Sequence, residues 1–481
     1  MKTNKIVTVF MIVTFVLAML AGCSSQSNDS KESAVNNKAN EQTPDPSADP
    51  SAEPTPTPEE EPAWQKEKIS LKFASWEDEK VVKPMLDAFM AKYPNITVEK
   101  DQSINWPWTA ALTTAASAGN LPDVFSLESV TPGVQNDWLY DISQLWDNDS
   151  ESATVYPNIA KYGVYGGKRL AAPTWQSIMG VFVNKKLFEK ANVPLPKYNW
   201  TIDEMVDLAK KLTNTKDHIF GIDGPWGDLS FESYWPMQND ASLGWGTFDG
   251  EKFNMGHNQD WMNGYNTKVE LRRLKVEENM TVDEKKKVFG DENAWVFQKG
   301  NVAMGIDGSW NIGWLPGELQ KAGAGELDFY PYPGGKAGQR LPIILDFAGI
   351  SSTTKNPEAS FELLKWMYWS KEGLLKRIEI YETLGKNISD LFPVSSDKEI
   401  WDKLKSKTTI PGVKAMMDML DTGVPDNGKS LPGLPEYDQW FAEQKIAEKI
   451  DKGEFTPADK AQEIEDKLNE FVTKAKQALG E

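Results

Sequence analysis

The sequence predicts a mixed α/β fold, and three stretches carry that prediction. In the first, Ile69-Ser70-Leu71-Lys72-Phe73-Ala74 alternates apolar and polar side chains like a half-buried strand. A polar loop, Ser75-Trp76-Glu77-Asp78-Glu79, follows, and Val82, Met85, Leu86 and Phe89 then recur at helical spacing until Pro94. Strand, loop, helix is the opening of a βα unit. In the second, Gly119-Asn120-Leu121-Pro122-Asp123-Val124-Phe125 reads as an exposed turn feeding a short buried strand. In the third, Trp295, Val296 and Phe297 sit on a helical segment that Gly300 closes as a left-handed cap, and the run 302–306 has the length and punctuation of a buried strand. Asp307-Gly308 then turns the chain at the carboxyl end of that strand, the edge where open α/β sheets bind ligands, and presents Trp310 there. Trp310 is either a stacking platform at that edge or a core aromatic, tryptophan being mostly buried.

Ahead of the first strand, Lys2 and Lys5 precede a nearly uncharged run, 6–20, and then Leu20-Ala21-Gly22-Cys23. The run is short of the roughly 20 residues a spanning helix needs, so the pattern predicts a cleaved lipoprotein signal over 1–22 and lipid on Cys23. Cys23 is the only cysteine of 481 residues, so no disulfide is expected and the thiol is accounted for. Stable anchoring needs more than one acyl chain, which a diacylated cysteine supplies. From there to residue 65 the chain is rich in Ser, Asn, Pro, Glu and Asp and cannot bury a core, which predicts a disordered spacer stiffened by its prolines.

A net charge of −19 argues against nucleic acid or an anionic membrane surface as partner, since both need clustered Lys and Arg. His218 and His257 are the only histidines, which disfavours a transition-metal site. Asp147-Asn148-Asp149-Ser150-Glu151 has the acidic spacing of a calcium loop but carries Ser152 and Asn158 where the sixth-position Gly and twelfth-position Glu belong. Calcium there stays an alternative; no cofactor and no other metal are expected.

Phe297-Gln298-Lys299-Gly300-Asn301-Val302-Ala303-Met304-Gly305-Ile306-Asp307-Gly308-Ser309-Trp310 resembles the pattern of family 1 extracellular solute-binding proteins, the sugar-binding lipoproteins of ATP-binding-cassette (ABC) importers, distantly similar to maltose-binding protein. Further marks of that family recur in its order: Gly119-Asn120-Leu121-Pro122-Asp123-Val124, Pro173 eleven residues before Asn184-Lys185, and Asn356-Pro357-Glu358-Ala359. The resemblance implies a periplasmic-binding-protein-like α/β fold of type II style, two lobes joined by multiple hinge crossings. Lobe one would comprise 66–173 and 331–394, and lobe two 174–330 and 395–481. It also implies a monomer that is not an enzyme, lipid-anchored on the extracytoplasmic face of the cell membrane, handing a carbohydrate to ABC permease subunits.

The same resemblance nominates ligand residues along the chain. The loop after the first strand lines the sugar site in the family, matched here by Trp76 and Glu77; alternatively Trp76 packs under the following helix. Glu128, at the outflow of the strand after Asp123, is an acceptor for sugar hydroxyls or a plain loop carboxylate, and Asp123 reads as structural. Gly166-Gly167 turns a hairpin leading to Pro173, after which Trp175 and Gln176 match hinge and ligand contacts. Ser177 stands where maltodextrin binders of the family carry an acid, which speaks against a maltodextrin ligand. Asp307 and Trp310 complete the set at the end of the 302–306 strand.

Thr201-Ile202-Asp203-Glu204 is a capping box opening a helix through Met205, Leu208 and Leu212. The stretch 220–250 holds Trp226, Tyr234, Trp235, Trp245 and Phe248, and looks too irregular for a helix and too punctuated for one strand. Such loops carry specificity, and Trp235 is the first choice there for a ligand contact, with core packing as its alternative. Tyr330-Pro331-Tyr332-Pro333-Gly334-Gly335 reads as the crossing back to lobe one. The buried strand 341–350 is interrupted by Asp346, a carboxylate that either closes a buried network or faces the cleft. Asn356 and Pro357 open a helix carried to Gly373 by Phe361, Leu364 and Tyr368. Phe392-Pro393-Val394 would be the third crossing, and a helical remainder with Tyr437, Trp440, Phe441 and the amphipathic 457–479 closes lobe two.

Aromatic platforms with scattered carboxylates and amides suit sugars, which present apolar CH faces and many hydroxyls. A tethered glycoside hydrolase would share the tryptophans but needs two carboxylates about 5–9.5 Å apart, and no local pattern marks such a pair. A purely adhesive lipoprotein is the remaining alternative.

Overall fold

The computed structural model describes residues 63–224 and 228–480. Cys23, the signal, most of the spacer and Trp226 lie outside the described residues. Eleven strands are described: β1 Ile69–Ala74, β2 Ile96–Lys100, β3 Val124–Leu127, β4 Val164–Tyr165, β5 Lys168–Arg169, β6 Ala172–Asn184, β7 Phe220–Asp223, β8 Val302–Gly308, β9 Leu327–Pro331, β10 Pro342–Ile350 and β11 Val424–Pro425. Among them, β4 and β5 form the expected hairpin and the other nine form one mixed sheet.

Strand β6 is the spine of that sheet. Its first half pairs antiparallel with β10, which pairs antiparallel with β3, and β3 and β2 flank β1 in parallel. Its second half pairs antiparallel with β8 and β9, and β7 runs parallel to β8. The pairing partner therefore changes between Ile178, opposite Ile343, and Met179, opposite Gly308. Two half-sheets share a strand at that point, and each half has its own core.

On lobe one, Leu71 and Phe73 of β1 point inward while Ser70 and Lys72 point out, so the alternation legible in sequence is the alternation in the fold. These side chains pack with Phe89, Phe125, Phe347 and Leu364. On lobe two, β6 is buried on both faces: Phe182 joins Phe329 and Val302 on one side, and Val181 joins Met304 and Tyr330 on the other. A further cluster, with Trp261, Tyr265, Ile464 and Leu468, lies under the long C-terminal helix Pro457–Ala478. Tyr330 and Tyr332 belong to the lobe-two core, and lobe-one packing resumes with Ile343.

The helix Ile202–Leu212 opens on the capping box, Thr201 and Glu204 each bonding the other's backbone N–H. Four local expectations differ from the structure, the first being the turn at Asp307-Gly308: both residues lie in β8, paired with Gly180 and Met179, and the chain turns at Ser309–Asn311. The segment before β8 is one tight turn rather than a helix, although its cap is as expected: Gly300 is left-handed (φ 81°), its N–H donates to Phe297 O, and Asn301 N–H reaches Val296 O. The aromatic stretch contains a helix, Phe231–Asn239, with Pro236 inside it. Phe231 and every residue from Tyr234 to Gln238 are buried there, so the helix has no wide polar face to give a periodic signal. The helix from Pro357 stops at Tyr368, and a second, Lys371–Leu384, starts after Ser370, whose Oγ accepts from Gly373 N at 3.1 Å.

Candidate functional site

The carboxyl ends of β1 and β3 and the adjoining stretches of β6 and β10 bring five expected residues to one edge of lobe one. Phe347 pairs with Leu127, and Leu345 with Gln176, so Glu128, Asp346 and Trp175 sit at neighbouring strand positions, with Trp76 and Glu77 beyond the end of β1. Glu77 N donates to Ser75 Oγ at 3.1 Å and turns the loop back on itself. The Glu77 carboxylate accepts from Arg377 Nη1 at 2.5 Å and from Trp175 Nε1 at 3.5 Å. Arg377 is buried on the helix Lys371–Leu384; it also donates to Met367 O at 3.0 Å and lies 4.9 Å from the Trp175 ring centroid. One ion pair thus joins the first loop, the crossing strand and a late helix.

Glu128 accepts from Thr109 Oγ1 at 2.7 Å and Thr109 N at 3.3 Å. It sits at the N-terminus of the helix Trp108–Ser117, where the helix dipole favours an anion. Asp346 stands at an irregularity in the β10–β6 pairing and accepts from Lys429 Nζ at 2.5 Å. Gln176 is buried, its amide nitrogen donating to Pro393 O at 2.8 Å and its backbone N to Phe392 O at 3.1 Å, so it knits two crossings together.

The lobe-two edge is built differently. The ends of β7 and β8 carry the same tetrapeptide, Gly221-Ile222-Asp223-Gly224 and Gly305-Ile306-Asp307-Gly308, and Asp223 pairs with Gly305. In each copy the aspartate accepts from the N–H of the glycine after it, at 2.9 Å for Asp223 and 2.7 Å for Asp307. Asp307 also accepts from Asn311 Nδ2 at 2.7 Å. Burial holds the Asp307 carboxyl above the usual range; burial and the nearby Glu278 push Asp223 up to about 8.

Both aspartates line a cavity of about 570 Å³, together with Glu278, Trp295, Trp310 and Asn311. Ser309 Oγ accepts from Ile178 N at 3.1 Å, tying the turn that carries Trp310 to the crossing strand. The Trp310 ring lies over Gly308 so closely that a Cβ there would come within 2.2 Å of it, yet the side chain is 37% exposed. Trp175 and Met179 are four positions apart on β6, roughly 13 Å at strand rise, so the two edges meet across the crossing.

Trp235 is elsewhere. It is buried, stacked on Phe231 at 4.6 Å and 21°, and donates to Tyr332 Oη at 3.2 Å. It serves the lobe-two core, the alternative left open by sequence. Asp223, Arg377 and Asn311 escaped the sequence reading. The repeated Gly-Ile-Asp-Gly was the available signal for Asp223, whereas nothing local links Arg377 to Glu77. A second cavity of about 440 Å³ lies between the helix Phe231–Asn239 and the C-terminal helices, lined by Asp228, Glu232, Trp261, Asp426, Tyr437 and Asp438, among others. Asp426 N donates to Ile343 O at 2.7 Å, and burial pushes its carboxyl up to about 6.

In the stretch with calcium-loop spacing, Asp149 accepts from Lys365 Nζ at 2.8 Å and Ser152 N at 2.7 Å. Among the described residues no cluster of three His, Cys, Asp or Glu is placed to hold a metal, and no helix is long and apolar enough to cross a membrane.

The family model of bacterial extracellular solute-binding proteins matches residues 74–372. Similar solved structures include an ABC substrate-binding protein from Listeria monocytogenes in complex with cycloalternan, at a TM-score of 0.65 and 21% identity over 84% of this chain and 99% of that one. The sugar-binding protein MalE from Xanthomonas citri matches at 0.64 and 18% over 86% and 99%. The cyclic alpha-maltosyl-1,6-maltose binding protein from Arthrobacter globiformis matches at 0.64 and 17% over 84% and 99%. At these identities the likeness is one of fold, the two-lobe fold just described.

Proposed function

We propose, on the premise that this chain belongs to the family of bacterial extracellular solute-binding proteins, that it captures an oligosaccharide between the two lobe edges and delivers it to an ABC permease. The observation that carries this is Trp310: a partly exposed indole held over Gly308 at the mouth of a cavity walled by Asp307, Asp223 and Trp295. An aromatic face beside buried carboxylates matches the CH faces and hydroxyl rims of a sugar. Solved relatives bound to cycloalternan or described as binding cyclic maltosyl-maltose support a saccharide of several rings. Trp76, Glu77, Glu128, Trp175 and Asp346 supply contacts from lobe one, with Gln176 supporting the crossing. Ligand touching both edges favours a closed arrangement over an open one, because only closure makes both sets of contacts.

The protein acts outside the cytoplasmic membrane as a monomer, tethered by lipid on Cys23, and performs no catalysis. Incubation with a library of defined oligosaccharides tests this. Binding by calorimetry, contraction of the radius of gyration on saturation and no new products by chromatography are expected. Turnover would make the protein a hydrolase, and saturation without contraction would count against closure. Cys23→Ala should move the protein from the membrane fraction to the soluble one or leave its leader uncleaved.

A further inference from the structure

Lobe one carries an aromatic group that the cavity beside Trp310 does not account for. Trp106 is 62% exposed, more than any other large apolar side chain among the described residues. It is not an isolated surface indole. Its centroid lies 6.2 Å from Trp76, at 36°, and 6.4 Å from Trp108. Trp108 is buried and its Nε1 donates to Ser126 O at 2.8 Å, which makes it a fixed pedestal, and Trp76 meets it edge-on at 5.1 Å and 81°. Three indoles therefore form a braced group whose outer member is left to solvent.

Its place in the fold points to what covers it. Trp76 is two residues past the end of β1, and Trp108 opens the helix whose Thr109 is held by Glu128 at the end of β3. The group thus stands at the carboxyl edge of lobe one, beside Glu77 and Glu128. An aromatic face bordered by carboxylates has the chemistry that a pyranose ring presents in complement: an apolar CH face with hydroxyls at its rim.

We infer that Trp106, braced by Trp76 and Trp108, is a stacking station for a sugar ring on lobe one, separate from the Trp310 station on lobe two, so that the ligand has at least two rings. This rests on the saccharide reading above. A ligand of one ring can occupy one station; a longer one gains from both.

The test uses the whole protein and a panel of glucose, galactose and xylose with α- and β-linked trisaccharides of each, by calorimetry. For the trisaccharide that wild type binds most tightly, Trp106→Ala should weaken binding about tenfold or more, the loss typical of an anchoring aromatic. It should leave the apo melting temperature unchanged, and Trp106→Phe should recover most of the trisaccharide affinity. Trisaccharide binding by Trp106→Ala within about twofold of wild type, with Trp310→Ala impaired, would overturn the lobe-one station and leave the saccharide function standing. A sharp fall in apo melting on Trp106→Ala would overturn it too, as a sign of a structural role. Failure of wild type to bind any panel member would defeat both readings together.

Discussion

The two edges that meet at β6 both carry carboxylates, yet they hold them in opposite ways. On lobe one, Glu77 meets Arg377, Asp346 meets Lys429, and Glu128 meets a helix N-terminus through Thr109. On lobe two, Asp223 and Asp307 are buried and take hydrogen bonds from neutral donors, the following glycines and Asn311. The first arrangement braces the loops and crossings through the acids themselves. The second desolvates them in a cavity whose cation, Lys285, is paired with Glu278 at 3.4 Å; burial raises the carboxyls and leaves them to trade hydrogen bonds with a hydroxyl-bearing ligand. Lobe one thus fixes in place the acids it offers to a ligand, and lobe two keeps its acids desolvated. A ligand would find lobe one preset and lobe two responsive.

The strongest way to break that contrast lies inside lobe two, between its two tryptophans. Trp235→Ala should cost about 3–5 kcal/mol of apo stability, since it empties a buried stack. Trp310→Ala should leave apo stability nearly intact and weaken oligosaccharide binding by about 2 kcal/mol or more. Urea unfolding and calorimetry on the same preparations decide it. A large stability loss for Trp310→Ala with near-normal affinity would remove Trp310 from the pocket.

Next in size is the pH response of the receptive edge. With Asp223 at about 8 in the fold and near 3.8 when unfolded, the native state keeps a proton that the unfolded chain releases. Stability on this account is greatest on the acid side and falls as pH rises from about 4 towards 8, by about 3–4 kcal/mol between pH 5 and 8 from this group. Asp223→Asn should flatten that fall. Parallel denaturation profiles for mutant and wild type across this range would show that Asp223 is not held neutral.

The smallest effects are expected at the braced edge, and they are graded by burial. Glu77→Gln removes the anion opposite Arg377, whose side chain is 1% exposed, and should cost about 2–3 kcal/mol. Asp346→Asn, opposite the more exposed Lys429, should cost about 1 kcal/mol or less. Equal losses at the two sites, read from urea midpoints, would mean that burial does not set the strength of these clamps.

How much of this was legible in advance differs by residue. The edge position of Trp310 followed from a short buried strand, although that strand runs on through Asp307-Gly308 and the chain turns only at Ser309–Asn311; the Thr201 capping box and the strand 69–74 were equally local. Trp235 sat in a stretch whose pattern concealed a helix, because that helix is buried nearly all round and shows no polar face. Glu77 was legible as a loop acid, but its partner Arg377 lies 300 residues away and only the docking of the helix Lys371–Leu384 brings it in.

The strand 69–74, the capping box at Thr201, the left-handed cap at Gly300 and the hairpin at Gly166-Gly167 were settled by the sequence, since periodicity, capping boxes and glycine turns act over a handful of neighbours. Tertiary structure alone decided which carboxylates are paired and which are desolvated. Sheet register sets one strand end beside another whatever their separation in the chain, and the charge that a side chain meets there belongs to the neighbour rather than to the local pattern.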